Sequence, residues 1–259
     1  MEMLIRCLGD KNVHSFCKSV CVVVPTYNES ENLPELVERI FSLNLPRLSV
    51  LIVDDNSPDG TSETARRLST KYIDKGAIQV LQRKTKSGLG TAYTHGFQCA
   101  LDKGYEIIVQ MDADLSHRPE YLPQMIKLLE EYDVVVGSRY LDKNGMDSEW
   151  GIHRKILSFC GNLGIKWVAG IQANDVTSGF KAFRAGTLKE IDWTKVRSSG
   201  FGFQAEVAFQ CEKNGAKLLE YPIVFDERTR GKSKMSFAII CETVYRILLL
   251  RANSLLRLK

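Results

Sequence analysis

Apolar residues along the first half of this chain switch between a strand-like and a helix-like period. Val20-Cys21-Val22-Val23-Val24 is a β-branched run stopped by Pro25, as expected of a buried strand. Cap formers and early acids follow in Asn28-Glu29-Ser30-Glu31-Asn32. Leu33, Leu36, Val37, Ile40 and Phe41 then recur at helical spacing. The cycle repeats. Leu48 to Val53 predicts a second strand, and a polar turn at Asn56-Ser57-Pro58-Asp59-Gly60 leads to a helix through Ala65 and Leu68. Ala77 to Leu81 predicts a third strand. Its helix carries Leu89, Ala92, Tyr93, Phe97, Ala100 and Leu101 and ends at Gly104. Tyr105 to Met111 predicts a fourth strand, Pro119 opens a helix through Leu122, Met125, Ile126 and Leu129, and Asp133 to Gly137 predicts a fifth.

Strict strand–helix alternation predicts an α/β fold with a mostly parallel sheet covered on both faces. Ligands of such sheets bind beyond the carboxyl ends of the strands. Polar side chains gather at those ends: Thr26-Tyr27-Asn28-Glu29, Asp54-Asp55, Asp112-Ala113-Asp114 and Ser138-Arg139. Two carboxylates one residue apart at the end of a buried strand suit a hard divalent cation. A nucleotide diphosphate would lie on its far side. The motif alone fits equally two aspartates in a surface loop, with Asp114 capping the next helix. Convergence of four segments on one edge favours the site.

The second half is less regular. Arg154 begins a helical stretch through Ile156, Leu157, Leu163 and Trp167. Asp175 to Phe180 reads as a turn-rich segment. Gly200 to Glu206 fits a pocket lining or core equally well, and Leu218 to Phe225 reads as a late strand. Arg83 to Gly90 is a basic, glycine-bearing connection that matches neither GxGxxG nor a Walker loop. The loop from Asp226 to Lys234 places Arg228 and Lys234 where they suit phosphates, although charge runs are usually solvated surface. From Ser236 to Lys259, Phe237, Ile240, Val244, Ile247 and Leu248 form one stripe beside Arg246, Arg251, Arg257 and Lys259. That stripe fits a membrane interface, this domain or a partner's helix.

Composition narrows the class. The 259 residues are 44% hydrophobic and 25% charged, an ordinary globular balance. A net charge of +4, without massed basic residues before the C-terminal part, speaks against a nucleic-acid partner. Seven cysteines without a CxxC pair point away from a disulfide framework or zinc site and toward a reducing compartment. Met1 to Arg6 lacks the pattern of a signal peptide, and no stretch reaches the roughly 18 apolar residues of a membrane span. The expected organisation is a leader at 1–18, a catalytic domain at 19–235 and an associating helix at 236–259.

In order, several segments resemble the GT-A-fold glycosyltransferases of family 2, and within them the dolichol-phosphate mannose synthases. They are Val24 to Glu29, Val53 to Thr61, Gly88 to Tyr93, Asp112 to His117, Gly137 to Tyr140, Thr177 to Phe180, and Arg228 through Ser233-Lys234-Met235. The resemblance implies transfer of mannose from GDP-mannose to dolichyl or another polyprenyl phosphate, with inversion. It implies that Pro25, Tyr27, Glu29, Val53 and Asp55 hold the guanosine part and that Ala113 lies beside the nucleotide. Asp112 and Asp114 would carry Mg2+ or Mn2+. Ser116 stands where some members have a metal-binding Gln, and its shorter side chain leaves room for a water. Arg139, Arg228 and Lys234 would contact the diphosphate or acceptor phosphate, so that Asp114, Arg139 and Arg228 form the catalytic set. The resemblance also implies a membrane surface and small transmembrane subunits as partners. The location would be the cytoplasmic face of the endoplasmic reticulum in a eukaryote, or the inner face of the cell membrane in a prokaryote. The alternatives are a UDP-glucose-dependent polyprenyl-phosphate glucosyltransferase, a nucleotidyltransferase, and a non-enzymatic docking subunit. A nucleotidyltransferase would need a triphosphate-binding glycine loop, which Pro25-Thr26-Tyr27-Asn28 lacks, and the intact carboxylates argue against a docking subunit.

Overall fold

The computed structural model describes residues 18–74, 76–141, 152–198, 200, 202–226 and 237–256. Seven strands form one sheet: β1 (Val20–Thr26), β2 (Leu48–Asp54), β3 (Ala77–Gln82), β4 (Ile107–Gln110), β5 (Val134–Ser138), β6 (Lys181–Arg184) and β7 (Leu218–Pro222). Their order is β3-β2-β1-β4-β6-β5-β7. Every pairing is parallel except those of β6, which runs antiparallel between β4 and β5. The five strands expected from the first half are present, together with the late strand. β6 falls just after the segment expected to be a turn.

The strands separate two cores because successive side chains face opposite ways. Val20, Val22 and Val24 join a layer with Leu33, Leu36, Val37, Ile40 and Phe41 of α1 (Leu33–Ser42) and with Leu122, Met125 and Ile126 of a later helix. Cys21 and Val23 join the opposite layer with Tyr93 and Phe97. Both helical faces of the sheet are therefore filled. Pro at its start, Glu35 in its first turn and Arg39 in its last make α1 a well-signalled helix. α2 (Thr61–Lys71) follows β2, and α3 (Leu89–Asp102) follows β3. Gly104, at φ +75, terminates α3 as its sequence implies.

Pro119–Tyr121 forms a 3-10 turn that runs into α4 (Leu122–Leu128). α5 (Ile152–Ala169), α6 (Ala185–Lys189), α7 (Gly202–Lys213) and α8 (Phe237–Leu256) complete the chain order. α8 packs on α5 and α7. Ile247 is fully buried in a third cluster with Ile165, Ala169, Ala205, Ala208 and Phe209. The C-terminal helix thus has one face on the domain. Tyr245, Leu248 and Leu249 lie on its other face, exposed. No helix among the described residues is long and apolar enough to cross a membrane.

Candidate active site

β1, β2, β4 and β5 are mutually parallel, so their polar carboxyl-terminal segments reach the same sheet edge. β6 begins at that edge because it is antiparallel, and Lys181 pairs with Gln110 there. The structure thereby brings together Tyr27, Glu29, Asp55, Asp112, Ala113, Asp114, Ser116 and Arg139. Pro25 and Val53 are buried strand partners of one another, and the Val53 side chain lies in the core with Tyr93 and Phe97. Arg228 and Lys234 lie outside the described residues.

At the β2 end the two aspartates have different tasks. Asp54 is buried and accepts bonds from the hydroxyls of Thr26, Ser57 and Ser62 at 3.1, 2.5 and 2.8 Å. It ties the following turn to β1. Asp55 accepts from Arg83 at 2.6 Å and from the Ser87 backbone at 3.3 Å, which draws the glycine-bearing connection onto the edge. Lys86 stands 3.3 Å over the Tyr27 ring. Glu29 accepts from Asn32 Nδ2 at 2.7 Å, and its carbonyl begins the α1 hydrogen-bond ladder.

Gly88, at φ +98, provides the left-handed backbone before α3. Gly90 serves packing instead of ligand approach. A Cβ there would stand 2.8 Å from Phe203 Cβ, so the glycine lets α3 press against α7. From Gly202 to Glu206 the stretch likewise belongs to the interior, whereas Gly200 is exposed and Phe201 lies outside the described residues. Phe203 is core, and Glu206 accepts from the backbones of Arg197 and Ser198 at 2.8 and 3.0 Å.

The loop after β4 bends at Leu115, whose φ of +64 costs a non-glycine residue strain of order 1–3 kcal/mol. The bend turns Ser116 back on Asp114. Its backbone and hydroxyl donate to Asp114 Oδ1 at 3.2 and 2.5 Å. Asp112 Oδ1 accepts from the Tyr93 hydroxyl at 2.6 Å, and the Asp112 backbone donates to His117 Nδ1 at 3.1 Å. Among the described residues no three of His, Cys, Asp and Glu form a metal-holding group. Two carboxylates are nevertheless the donor set that a hard cation uses when water and substrate phosphates complete its shell, and Asp112 and Asp114 fit that chemistry.

Across the edge, Arg139 is held in a bidentate pair by Asp175, with Nε and Nη2 donating at 2.8 and 2.7 Å. Nη2 also reaches Thr177 at 2.9 Å. Burial works against both charges, but each overcomes it in the other. Arg139 is raised and Asp175 falls below its ordinary range. Asp175 was not apparent from sequence as the partner of Arg139, because nothing in a turn-like stretch 36 residues away singles it out.

Behind these groups lies Lys181, fully buried and bonded to Ser178 O and Gln204 Oε1. Gln110 Nε2 donates to the same Gln204 oxygen at 2.6 Å. Burial pushes Lys181 down to about 8, with nearby Asp175 opposing the shift. In the unfolded chain the amine keeps its proton to about 10.5. Unfolding therefore takes up a proton between these values, and folding gains stability as pH rises through 8. Burial pushes Cys21 and Cys211 up to about 12 from 9.0, so they oppose folding above pH 9. The urea midpoint is expected to rise from pH 7.5 to about 9 and then fall. Lys181→Met should lose the rise and keep the fall. A flat profile in both proteins would contradict this account.

The profile of Glycosyl transferase family 2 matches residues 21–192. The chain is 41% identical over 228 residues to an undecaprenyl-phosphate mannosyltransferase of Micrococcus luteus, covering 88% of this chain and 92% of that one. It is 39% identical to a polyprenol monophosphomannose synthase of Mycolicibacterium smegmatis, covering 87% and 84%. A dolichol-phosphate mannosyltransferase of Pyrococcus furiosus is 34% identical, with 88% of this chain and 63% of the relative covered. Among solved structures, a mannosyltransferase of Pyrobaculum calidifontis in complex with GDP-Man and Mn2+ superposes with a TM-score of 0.62 at 20% identity, covering 91% of this chain and 64% of that one. A glucosyl-3-phosphoglycerate synthase of Mycobacterium tuberculosis with Mn2+ and UDP-glucose gives 0.63 at 16%, covering 93% and 82%. These structures share the GT-A-like sheet. With a mannosyl-transferring relative at 41% identity over nearly its whole length and the family profile spanning β1 to β6, this chain belongs to glycosyl transferase family 2.

Proposed function

We propose that the protein transfers mannose from GDP-mannose to dolichyl or another polyprenyl phosphate, giving a β-linked mannosyl phosphate that serves as donor for protein glycosylation and lipid-anchor synthesis. One observation carries this reading. Asp112 and Asp114 stand on a single sheet edge, between the Glu29–Asp55 side and the buried guanidinium of Arg139. The names of the three relatives support mannosyl transfer to a polyprenyl phosphate. The Pyrobaculum complex supports GDP-mannose and a divalent ion at the level of fold.

In this reading the backbones of Pro25 and Val53, with Tyr27, Glu29, Asp55 and Ala113, line the guanosine side. Asp112 and Asp114 hold Mg2+ or Mn2+, and Ser116 steadies Asp114. Bound there, the ion supplies Lewis-acid stabilisation of the departing diphosphate. An oxygen of the acceptor phosphate forms a bond to the anomeric carbon as the bond to the diphosphate oxygen breaks. GDP leaves with the electron pair, and configuration inverts. The acceptor is already an anion, so Asp114 serves ion binding and no strong general base is needed. Asp175 and Thr177 fix Arg139 through Nε and Nη2, which aims the rest of its donor fork at a phosphate. Arg228 and Lys234, outside the described residues, are assigned to the diphosphate or acceptor phosphate by their charge alone.

The acceptor's tail places this chemistry at a membrane. Trp167 is 81% exposed on α5, Leu163 is exposed beside it, and Tyr245, Leu248 and Leu249 are exposed on the adjoining α8. Arg246 and Arg251 lie among them. We assign this face to the lipid interface, which in a eukaryote is the cytoplasmic side of the endoplasmic reticulum and in a prokaryote the inner side of the cell membrane. Truncating 236–259 would also strip Ile247 from the core, so surface substitutions test the assignment better. Trp167→Ser with Leu248→Ser is expected to lower partition onto anionic vesicles by about tenfold or more, since each apolar side chain contributes about 1.5–3 kcal/mol when buried. GDP affinity should not change. Unaltered flotation with vesicles would remove the assignment. The donor is tested by offering labelled GDP-mannose and UDP-glucose separately with polyprenyl phosphate. Transfer from GDP-mannose alone is expected, whereas transfer from UDP-glucose alone would make the enzyme a glucosyltransferase.

A further inference from the structure

The carboxylate of Asp112 is fixed from a direction that its sequence neighbours do not supply. Tyr93 lies on α3, its side chain is fully buried, and its hydroxyl donates to Asp112 Oδ1 at 2.6 Å. The ring that carries this hydroxyl has little freedom. It stacks on Phe203 at 6.0 Å and 8°, and on Phe97 at 5.7 Å and 28°. α3 comes close to α7 because position 90 is glycine. From the other side, the Asp112 backbone donates to His117 Nδ1, and His117 itself stacks on Phe180 at 5.1 Å. A Cβ at Gly179 would stand 3.2 Å from Asp112 Oδ2, so the second oxygen is bounded as well.

A carboxylate on a loop has several rotamers, and an ion that needs one of them must overcome the entropy of selecting it. A donor on one oxygen, anchored in an aromatic stack, selects the rotamer in advance. It also occupies Oδ1 and turns the remaining lone pairs toward a ligand. A phenol suits this task. Unlike lysine or arginine, it brings no positive charge to compete with a cation, and its single O–H is already committed to Asp112.

We propose that Tyr93 is a positioning residue for the divalent-cation site, holding Asp112 in the orientation that binds the ion. The inference rests on the assignment of Asp112 and Asp114 as the ion's ligands. It adds a residue from α3, remote in sequence from the β4 loop, that acts on the ion only through Asp112.

Binding of Mn2+ measured by electron paramagnetic resonance, with and without GDP, tests it on the full chain. Tyr93→Phe keeps the ring and its stacking. The variant should bind Mn2+ about 10- to 100-fold more weakly, the range found when such supporting partners are lost. Its affinity for GDP in EDTA should be unchanged. Phe97→Leu disturbs the same stack without touching the hydroxyl and should keep Mn2+ affinity within about twofold of wild type. Equal Mn2+ affinity in wild type and Tyr93→Phe would overturn the positioning role and leave the ion site standing. Equal weakening in Phe97→Leu and Tyr93→Phe would make the effect one of packing, which also overturns it. Failure of wild type itself to bind Mn2+, with or without GDP, would sink the ion site on which the inference rests.

Discussion

Asp112→Ala is expected to lower sugar transfer by on the order of a thousandfold or more. A Lewis acid at a developing negative charge contributes several kcal/mol, and about 4 kcal/mol corresponds to a thousandfold in rate. Asp114 alone cannot hold a hard ion in the same place. The fold should persist, because Asp112 sits on a loop beyond β4 and is only half-buried. Truncation leaves the Tyr93 hydroxyl without its acceptor at a cost of about 1–3 kcal/mol, which lowers the melting temperature by a few degrees. Transfer rates at saturating donor and acceptor, beside circular dichroism, separate the two effects. A folded variant with normal rates would refute the role assigned to this carboxylate.

Asp175→Ala should be the most destabilising single change at this edge. It leaves the Arg139 guanidinium buried with its chief partner gone, and breaking a buried pair in this way costs about 3–5 kcal/mol. For a chain of this size that is a fall of about 10 °C in Tm. Transfer should collapse as well, since Asp175 fixes the guanidinium that we propose contacts the phosphates. Calorimetry checks the first claim and single-turnover transfer below the new Tm the second. A Tm within about 2 °C of wild type would show that water or another group takes over from Asp175. The same substitution made together with Arg139→Met should recover much of the loss, because a buried pair replaced by apolar groups can be nearly neutral.

The two aspartates differ in how visible they are from sequence. Asp112 announces itself: a largely apolar approach from Tyr105 to Met111 ends in two acids, and the alternation of elements fixes which sheet edge they occupy. The same logic located Glu29, Asp55 and Arg139. Asp175 sits in a run of turn formers, and its role depends on β6 inserting antiparallel between β4 and β5. That strand, Lys-Ala-Phe-Arg, is four residues long and has no β-branched residue. Neither period nor propensity marks it, and the pairing that makes it a strand comes wholly from its neighbours. Tyr93 was legible only as one apolar position on a helix. A phenol on a core stripe looks the same whether its hydroxyl meets solvent, a carbonyl or a carboxylate. Gly90 misleads in the opposite sense. It closes a basic, glycine-bearing segment, yet it lies in the first turn of α3 and its missing side chain serves the contact with Phe203. The C-terminal stripe was compatible with lipid or protein, and the structure shows the protein side of it: Ile247 packs inward on the domain, while Leu248 and Leu249 are exposed and carry the proposed lipid contact.

All of these assignments depend on negative oxygens at the β4 end holding an ion against a leaving diphosphate. The most direct measurement is transfer of labelled mannose from GDP-mannose to polyprenyl phosphate in EDTA, followed by addition of excess Mg2+ or Mn2+. The account predicts no transfer in EDTA and full recovery with either ion. Transfer that proceeds undiminished in EDTA would contradict it.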